Sequence, residues 1–248
     1  MKILGIIPAR FASSRFPGKP LADIGGKSMI QRVYNQCLKS ASLDKLIVAT
    51  DDLRILEHVK DFGGNAVMTA EHHQSGTDRC NEVATLFPKF DICINIQGDE
   101  PMIDPLQIDL LCGCFSDERA SLATLIKKII VKDELFNPNT PKVTINKDME
   151  AIYFSRSTIP YLRNSDKNDW LYHHTFYKHI GIYGYRTSAL SEITKLAVST
   201  LEKAESLEQL RWLENGYKIK VAITEMESQA IDTPEDLQNL LSHLDPGL

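Results

Sequence analysis

Apolar residues in the first half of the chain form short runs, and each run ends in polar or charged residues. The runs "KILGIIPA" and "DICINI" are unbroken and rich in isoleucine, which is typical of strands buried on both faces. Two shorter runs between them, "KLIVAT" and "AVMT", predict two more strands. The first half therefore has four predicted strands, all followed by polar side chains.

The segments between these strands have apolar residues at helical spacing. The first is "SMIQRVYNQCLKSA", and the second is "LRILEHVKDFGG", which predicts a helix closed by Gly63 and Gly64. A third helix is predicted in "GTDRCNEVATLF", with Thr77 or Asp78 as its N-cap. Strands that alternate with helices indicate a parallel sheet with crossover helices. We therefore predict an α/β fold with a mostly parallel sheet flanked by helices.

The second half has a different pattern. Alternating strands are predicted in "SLATLIKKI", in "HIGIYGYR" and in "PKVTINKDMEAIYFSR", which a polar turn interrupts at 146–148. A helix ("SLEQLRWLENG"), a strand ("KIKVAITE") and a closing helix capped by Thr233 with Pro234 in its first position follow. We predict a single domain, 1–248. Its core covers about 1–125, a smaller mixed part about 126–225, and the chain returns to the core at about 226–248.

Composition limits the function classes. The 248 residues carry a net charge of −5, so overall charge does not favour a nucleic-acid partner. The five cysteines are odd in number and form no CxxC pair, which indicates reduced, mostly buried thiols. We expect no signal peptide, because the run "ILGIIPA" is too short for one and a charged loop follows it. No apolar run approaches the length of a membrane helix. We expect a cytoplasmic protein.

The loop after the first strand is basic and stiff. Arg10, Arg15 and Lys19 lie within ten residues, together with Gly18 and three prolines in "IIPARFASSRFPGKP". Several cations at close range suit a phosphate chain, although a solvated basic turn explains the composition equally well. The loop matches neither GxxxxGK[ST] nor GxGxxG, so it indicates neither the usual NTPase cradle nor a dinucleotide fold.

Two aspartates are candidate ligands of a divalent cation. Asp99 follows the fourth strand in "IQGDEP", and Asp232 precedes the closing helix in "AIDTPEDL". Mg²⁺ held by two carboxylates and phosphate oxygens would suit nucleotide chemistry, whereas the alternative is an ordinary turn or cap acid at each position. Ligands of parallel sheets bind beyond the carboxyl ends of the strands. We therefore expect four segments to converge there: "ARFASSRFPGK", "TDD", "HHQSGTDR" and "QGDEP".

The opening loop resembles the N-terminal signature of the sugar-nucleotide cytidylyltransferases. Further blocks follow in order along almost the whole chain, and together they resemble the 3-deoxy-manno-octulosonate (Kdo) cytidylyltransferase family: "HQSGTDR", "NIQGDEPMI", "FNPNTPKV", "YFSRSTIP", "HIGIYGYR", "SLEQLRWLENG" and "DTPEDL". The resemblance implies a reaction in which the anomeric hydroxyl of Kdo attacks the α-phosphate of CTP, giving CMP-Kdo for lipopolysaccharide synthesis and pyrophosphate. It also implies Mg²⁺ and a homodimer.

The resemblance assigns roles to individual residues. Arg10, Arg15 and Lys19 would hold the triphosphate, and Asp99 and Asp232 would hold Mg²⁺; Arg10, Lys19 and Asp99 would be catalytic. Four residues would lie by the cytidine: Gln74, Ser75, Gly76 and Arg79. Six would contact the sugar, with Arg156 at its carboxylate: Gln97, Arg156, His179, Tyr183, Glu208 and Gln209.

Some alternatives stay open at this point. Tyr183 also fits a packing role, and His179 also fits an interior histidine without function. The histidines at 72, 73, 173 and 174 suggest surface pairs, and the segment 164–178 receives no role. The sugar could be 8-amino-Kdo or another acidic sugar such as a sialic acid. A non-catalytic nucleotide-binding module is the alternative from another class, although it would not need both aspartates.

Overall fold

The computed structural model describes residues 1–12, 15–227 and 229–243. It forms two compact units, the first made of residues 1–109 with the described residues from 227 onward, and the second of residues 110–226. The strands are β1 (Ile3–Ala9), β2 (Asp23–Ile24), β3 (Lys27–Ser28), β4 (Lys45–Thr50), β5 (Ala66–Met68), β6 (Ile92–Asn95), β7 (Leu122–Lys128), β8 (Lys142–Ile145), β9 (Ala151–Ser155), β10 (Tyr177–Arg186) and β11 (Ile219–Ile223). The helices are α1 (Met29–Cys37), α2 (Leu53–Asp61), α3 (Gly76–Leu86), α4 (Pro105–Gly113), α5 (Lys132–Phe136), α6 (Trp170–His173), α7 (Thr187–Ile193), α8 (Thr200–Glu205), α9 (Gln209–Glu214) and α10 (Pro234–His243).

The first unit contains a parallel sheet in the order β6-β1-β4-β5. Residues of β1 pair with β4 on one side, as Ile6 does with Ile47, and with β6 on the other, where Ile6 faces Asn95. Six of the seven residues of β1 are buried, because the strand is central and helices α1 and α3 pack against it. The predicted α/β class with a mostly parallel sheet is confirmed.

Side-chain caps start the helices of this unit. Ser28 caps α1, Asp52 caps α2, and Thr233 accepts a hydrogen bond from the amide of Asp236 at the start of α10. The prediction of Thr77 or Asp78 as the cap of α3 was wrong. Ser75 is the N-cap, because its extended backbone lets its hydroxyl accept the Asp78 amide while the Asp78 carboxylate accepts the Ser75 amide.

The second unit contains a mixed sheet. Strand β7 pairs in parallel with β11 and antiparallel with β10, while β8 pairs antiparallel with β10 and β9. The predicted turn between β8 and β9 is present, and Met149 adopts a left-handed conformation there. Strand β10 is irregular between Ile180 and Tyr183, at the first of the two glycines in "HIGIYGYR".

The structure also shows the state of the segment 164–178, of the cysteines and of the longer helices. Trp170 and Phe176, in the segment to which no role was assigned, join a buried apolar cluster with Ile129 and Leu135. The five cysteines form no disulfide, and only Cys114 is partly exposed. Within the described residues, no helix has both the length and the apolar character needed to cross a membrane.

Candidate functional site

The basic loop after β1 folds back on itself. The Gly18 amide donates to the Phe11 carbonyl at 2.9 Å, and the Lys19 amide donates to the Phe16 carbonyl at 3.2 Å. Gly18 has a φ of 71°, a conformation that glycine adopts without strain. Ser13 and Ser14 of this loop lie outside the described residues.

This fold brings Lys19 to both predicted metal ligands. Its Nζ lies 2.7 Å from Asp99 Oδ2 and 3.4 Å from Asp232 Oδ1. Arg15 donates from Nη1 and Nη2 to the two carboxylate oxygens of Asp232 at 3.2 and 3.1 Å. The side chain of Lys19 is 15% exposed, whereas that of Arg15 is 66% exposed. Two cations and two carboxylates therefore form one cluster, which we call the Lys19 cluster.

The backbone explains why Asp232 lies beside Asp99. The Ile231 amide donates to the Asp99 carbonyl at 2.9 Å, and the Ile231 side chain is buried with Ile24 and Met29. Phe16 of the basic loop packs against the same apolar cluster. Apolar packing thus holds both the basic loop and the segment before α10, which places Lys19 and Asp232 together.

Gly98 sets the position of the segment that carries Asp99. A Cβ at this position would lie 2.8 Å from the Pro8 carbonyl oxygen, closer than a side-chain carbon can approach a backbone atom without displacement. The chain after β6 can therefore pass close to the end of β1 only because residue 98 is glycine. This approach keeps Asp99 next to the basic loop.

Arg10 points to a second part of the site. Its guanidinium donates to the His73 carbonyl, and the His73 ring hydrogen-bonds to the Glu82 carboxylate on α3. Burial opposes ionisation of Glu82, but the hydrogen bonds from His73 and from the Ala70 amide outweigh it, and the pKa lies below its ordinary value. His72 and His73 form the predicted pair, with ring centroids 5.0 Å apart, but the predicted surface position of His73 was wrong, since its ring is largely covered and bonded to Glu82.

Arg79 is completely buried. Its guanidinium donates to the Thr69 hydroxyl and to Asp51 Oδ2, the latter at 2.6 Å, while its Nε has no hydrogen-bond partner among the described residues. In this conformation Arg79 joins the ends of β4 and β5 to α3. Its predicted place by the cytidine stays a prediction. Since its guanidinium is buried against Thr69 and Asp51, an influence of Arg79 on a nucleotide would act through the loop between β5 and α3.

The other predicted cytidine residues lie in that loop and at the start of α3. Gln74 is exposed and donates to the His72 carbonyl. Ser75 caps α3, and Gly76 lies close to Asn95 and Pro8, whose atoms would be 3.6 Å from an added Cβ. Gln97, predicted to face the sugar, is partly buried just before Gly98.

Contacts among these segments confirm the predicted convergence. Arg10 joins the basic loop to the loop before α3, Arg79 joins that loop to Asp51, and Lys19 joins the basic loop to Asp99. A cavity of about 380 Å³ lies beside Arg10. Its walls combine the cations Arg10 and Arg54 with acidic and apolar groups: Phe11, Ala12, Asp51, Asp52 and Glu71.

Five of the predicted sugar residues belong to the second unit. Arg156 donates from Nε, Nη1 and Nη2 to the carbonyls of Glu205, Pro138 and Ser206. Its backbone amide donates to the Glu205 carboxylate, which also accepts the Ser155 hydroxyl. The guanidinium contacts no carboxylate among the described residues, so it keeps an unneutralised positive charge held in a fixed orientation.

His179 and Tyr183 lie side by side on β10, with ring centroids 5.1 Å apart. Burial lowers the pKa of His179 to about 3, so the ring is neutral, and its Nε2 lies 2.9 Å from the Thr124 hydroxyl. Tyr183 packs between His179, Tyr185 and Trp212. Burial, and to a smaller degree Glu208, raises the pKa of Tyr183. The packing role of Tyr183 is therefore present, and a role at the sugar stays a prediction.

Gln209 has an unusual environment. Gln209 is the first residue of α9 and is 4% exposed. Its side-chain Nε2 nevertheless has no hydrogen-bond partner among the described residues. A buried amide without a partner costs free energy. Such a group is a candidate donor to a ligand oxygen.

Sequence reasoning missed Thr69 and Glu82, and for Asp51 it predicted only that the segment "TDD" would reach the site. All three contact the loop before α3 or its anchors. Helical spacing offered one signal, because Glu82 follows Arg79 by three residues and residues at that spacing share a helix face. Asp51 follows a predicted strand of the parallel sheet, which indicated its segment, whereas no local pattern separates Thr69 from an ordinary strand end.

Comparisons with known proteins give a family and a matching fold for the chain. Residues 4–219 match the model of a family described as cytidylyltransferase. The chain is 59% identical to a 3-deoxy-manno-octulosonate cytidylyltransferase of Parabacteroides distasonis over 98% of both chains, and 58% identical to that of Bacteroides thetaiotaomicron over 96% of both. A solved structure of a CMP:2-keto-3-deoxy-manno-octonic acid synthetase in complex with CTP has a TM-score of 0.90, with 44% identity over 98% of each chain.

Proposed function

Because the chain belongs to the cytidylyltransferase family, we propose that it joins CTP and Kdo to give CMP-Kdo and pyrophosphate. The anomeric oxygen of Kdo forms a bond to the α-phosphorus of CTP. The bond from that phosphorus to the bridging oxygen breaks, pyrophosphate leaves, and the hydroxyl proton is lost to solvent. Such a transfer depends mainly on positioning and charge stabilisation.

The Lys19 cluster is the observation that carries this proposal. Phosphoryl transfer needs cations at the departing phosphates and carboxylates that can hold a metal. Lys19 and Arg15 meet Asp99 and Asp232 within 2.7 to 3.4 Å in one cluster. A module that only bound nucleotide would not need the two carboxylates, so the cluster favours catalysis.

The carboxylates of Asp99 and Asp232 fit a Mg²⁺ ion, because a single ammonium already contacts both. The described residues contain no group of three or more acidic, histidine or cysteine ligands, so phosphate oxygens and water would complete the coordination. When bound, the ion would lower the pKa of the attacking hydroxyl and offset charge on the phosphate. Lys19 and Arg15 would then turn to the triphosphate, and Arg10 would bind it from the side of His73.

On the sugar side, Arg156 is suited to the Kdo carboxylate. Three backbone carbonyls orient its guanidinium without neutralising it, and arginine binds carboxylates with two parallel hydrogen bonds. His179 is neutral, so it would hydrogen-bond a hydroxyl and would not pair with the acid group. The unpartnered Nε2 of Gln209 supports its assignment to the same substrate.

Pyrophosphate release tests the reaction. The chain is incubated with CTP, Mg²⁺ and Kdo, 8-amino-Kdo or a sialic acid, with a reaction without sugar as the blank. We expect release with Kdo, and mass spectrometry should identify CMP-Kdo. Turnover with 8-amino-Kdo or sialic acid but none with Kdo would refute the proposed substrate, and CTP binding without release with any sugar would favour the non-catalytic module.

The remaining expectations form part of the same proposal. The enzyme would supply CMP-Kdo for lipopolysaccharide synthesis in the cytoplasm and would act as a homodimer. Large apolar side chains exposed in the second unit support self-association, since such groups often mark interfaces: Ile130, Tyr161 and Tyr172 are 74%, 68% and 87% exposed. Sedimentation equilibrium would give the mass of the particle, and a monomer at all concentrations would refute the dimer.

A further inference from the structure

The loop between β5 and α3 is attached to α3 by two side chains of that helix. Arg79 donates to the Thr69 hydroxyl at the start of the loop. Glu82 accepts the Ala70 amide at 3.0 Å with Oε2, and the same oxygen bonds to the His73 ring. The backbone of the loop therefore has its position fixed from the helix side.

Arg10 takes its orientation from this loop. Its guanidinium donates to the His73 carbonyl, and it forms no ion pair with a carboxylate among the described residues. The carbonyl fixes one edge of the guanidinium and leaves its charge unneutralised. A phosphate that binds Arg10 would meet a cation that is already oriented.

We propose that Glu82 is a positioning residue for the triphosphate, acting through His73 on Arg10. This rests on the proposed function, because it assumes that Arg10 binds the phosphates of CTP. Among the described residues the Glu82 carboxylate hydrogen-bonds to the His73 ring and to the Ala70 amide, so its effect on the nucleotide is indirect. By holding the loop that orients Arg10, Glu82 reduces the conformational entropy that Arg10 loses when Arg10 binds an anion.

The position of Arg10 predicts which ligands Glu82 affects. The cations of the basic loop should contribute more to the affinity for CTP than to the affinity for CMP, because CMP lacks the two phosphates that become pyrophosphate. Loss of Glu82 should therefore weaken CTP binding more than CMP binding. A general loss of structure would weaken both nucleotides alike, so the ratio of the two affinities separates positioning from stability.

The test uses calorimetric titration of the full chain with CTP and with CMP. Glu82→Ala should raise the Kd for CTP by about 5- to 20-fold and that for CMP by less than about 2-fold, the range expected for one misplaced charged contact. Glu82→Gln keeps an oxygen acceptor for the Ala70 amide and should recover most of the CTP affinity. Glu57→Gln removes an exposed carboxylate on α2 and should change neither value.

A double-mutant cycle tests whether Glu82 acts through Arg10. In an Arg10→Ala background, Glu82→Ala should have almost no further effect on the Kd for CTP, because the residue that it positions is gone. An undiminished effect in that background, or equal weakening of CTP and CMP, would overturn the proposal. If Glu82→Ala does not fold, His73→Ala decides, because it removes the ring that Glu82 holds and keeps the carbonyl that Arg10 binds. It should raise the Kd for CTP more than that for CMP, and equal weakening of both, or no change in either, would refute positioning.

Wild-type measurements separate this inference from the proposed function. If the wild type binds CTP but releases no pyrophosphate with Kdo, the proposed reaction fails, while the CTP and CMP affinities of the variants still decide the role of Glu82. If the wild type does not bind CTP, both proposals are overturned.

Discussion

The Lys19 ammonium lies 2.7 Å from the Asp99 carboxylate, although 80 positions separate the two residues in the chain. Only 15% of the Lys19 side chain and 25% of the Asp99 side chain are exposed. A pair this close and this covered has a stronger interaction than a surface ion pair. The pair joins a cation suited to phosphate with a carboxylate suited to a metal. One substitution at Asp99 and one at Lys19 therefore test the two roles separately.

Asp99→Asn tests the carboxylate. The amide is a poor ligand of Mg²⁺ and carries no charge, whereas the phosphate-binding cations stay in place. We expect kcat to fall by at least about 100-fold, with the Kd for CTP within about 3-fold of the wild-type value.

Steady-state kinetics and calorimetry provide the two measurements, and Asp61→Asn, which changes an exposed carboxylate on α2, is the matched control. Activity of Asp99→Asn within a few-fold of wild type would show that the metal assignment is wrong.

Lys19→Ala tests the cation. A partly buried contact of this kind with phosphate is worth roughly 1.5–3 kcal/mol, so we expect kcat/KM for CTP to fall by about 10- to 150-fold. Without nucleotide, the same change should strengthen Mg²⁺ binding, because the ammonium no longer occupies the space between Asp99 and Asp232. The opposite signs of the two effects distinguish this role from simple destabilisation. Lys60→Ala on α2 is the control, and weaker Mg²⁺ binding by Lys19→Ala would contradict the shared position.

Gly98→Ala tests the close approach of the chain to β1. The added Cβ would lie 2.8 Å from the Pro8 carbonyl oxygen, so backbone must move, and we expect a loss of about 1–3 kcal/mol in the free energy of unfolding. Gly113→Ala is the matched control, because among the described residues no atom beyond its own helix and chain neighbours lies within 4 Å of the added Cβ. That change should stabilise the protein by about 0.4–1 kcal/mol. Urea unfolding of both variants measures the difference, and equal stabilities would refute the steric argument.

Gln209→Leu tests the buried amide. Leucine removes an unpartnered polar group, so the free energy of unfolding should stay the same or rise by about 1 kcal/mol. If Gln209 donates to Kdo, the KM for Kdo should increase by about 10-fold, while the KM for CTP stays constant and serves as the internal control. A stable variant with an unchanged KM for Kdo would assign Gln209 to packing alone.

The pH dependence of stability tests the environment of His179. Its pKa of about 3 in the folded protein lies below its ordinary value of 6.5, so between these values the unfolded chain binds a proton that the folded protein does not. The stability contributed by the neutral ring is complete above pH 6.5 and is lost as the pH falls. Between pH 7.5 and 5.5 the wild type should lose about 1 kcal/mol more than His179→Gln. Urea unfolding at the two pH values measures both losses. If the wild type and His179→Gln lose the same free energy of unfolding, the ring is not desolvated.

Local patterns predicted most of the secondary structure. Unbroken apolar runs predicted the strands of the parallel sheet, and helical spacing predicted α1, α2 and α3, because burial on one or two faces imposes a period on the sequence. The predicted N-cap of α3, Thr77 or Asp78, was wrong. Ser75, Thr77 and Asp78 can all accept a hydrogen bond from a helix amide, and only the backbone conformation of Ser75 selects one of them.

The sequence by itself determined the order of the elements and the kinds of side chain at the strand ends. The resemblance added the roles, and convergence at the carboxyl ends of parallel strands followed from the fold class. The tertiary structure decided which of these side chains meet. It pairs Lys19 with Asp99 and Asp232, but it buries Arg79 against Asp51 and couples Arg10 to Glu82 through His73. Contacts over such separations depend on the packing of Ile231 and Phe16 with Ile24 and Met29, and no local pattern encodes which of several cations reaches a given carboxylate.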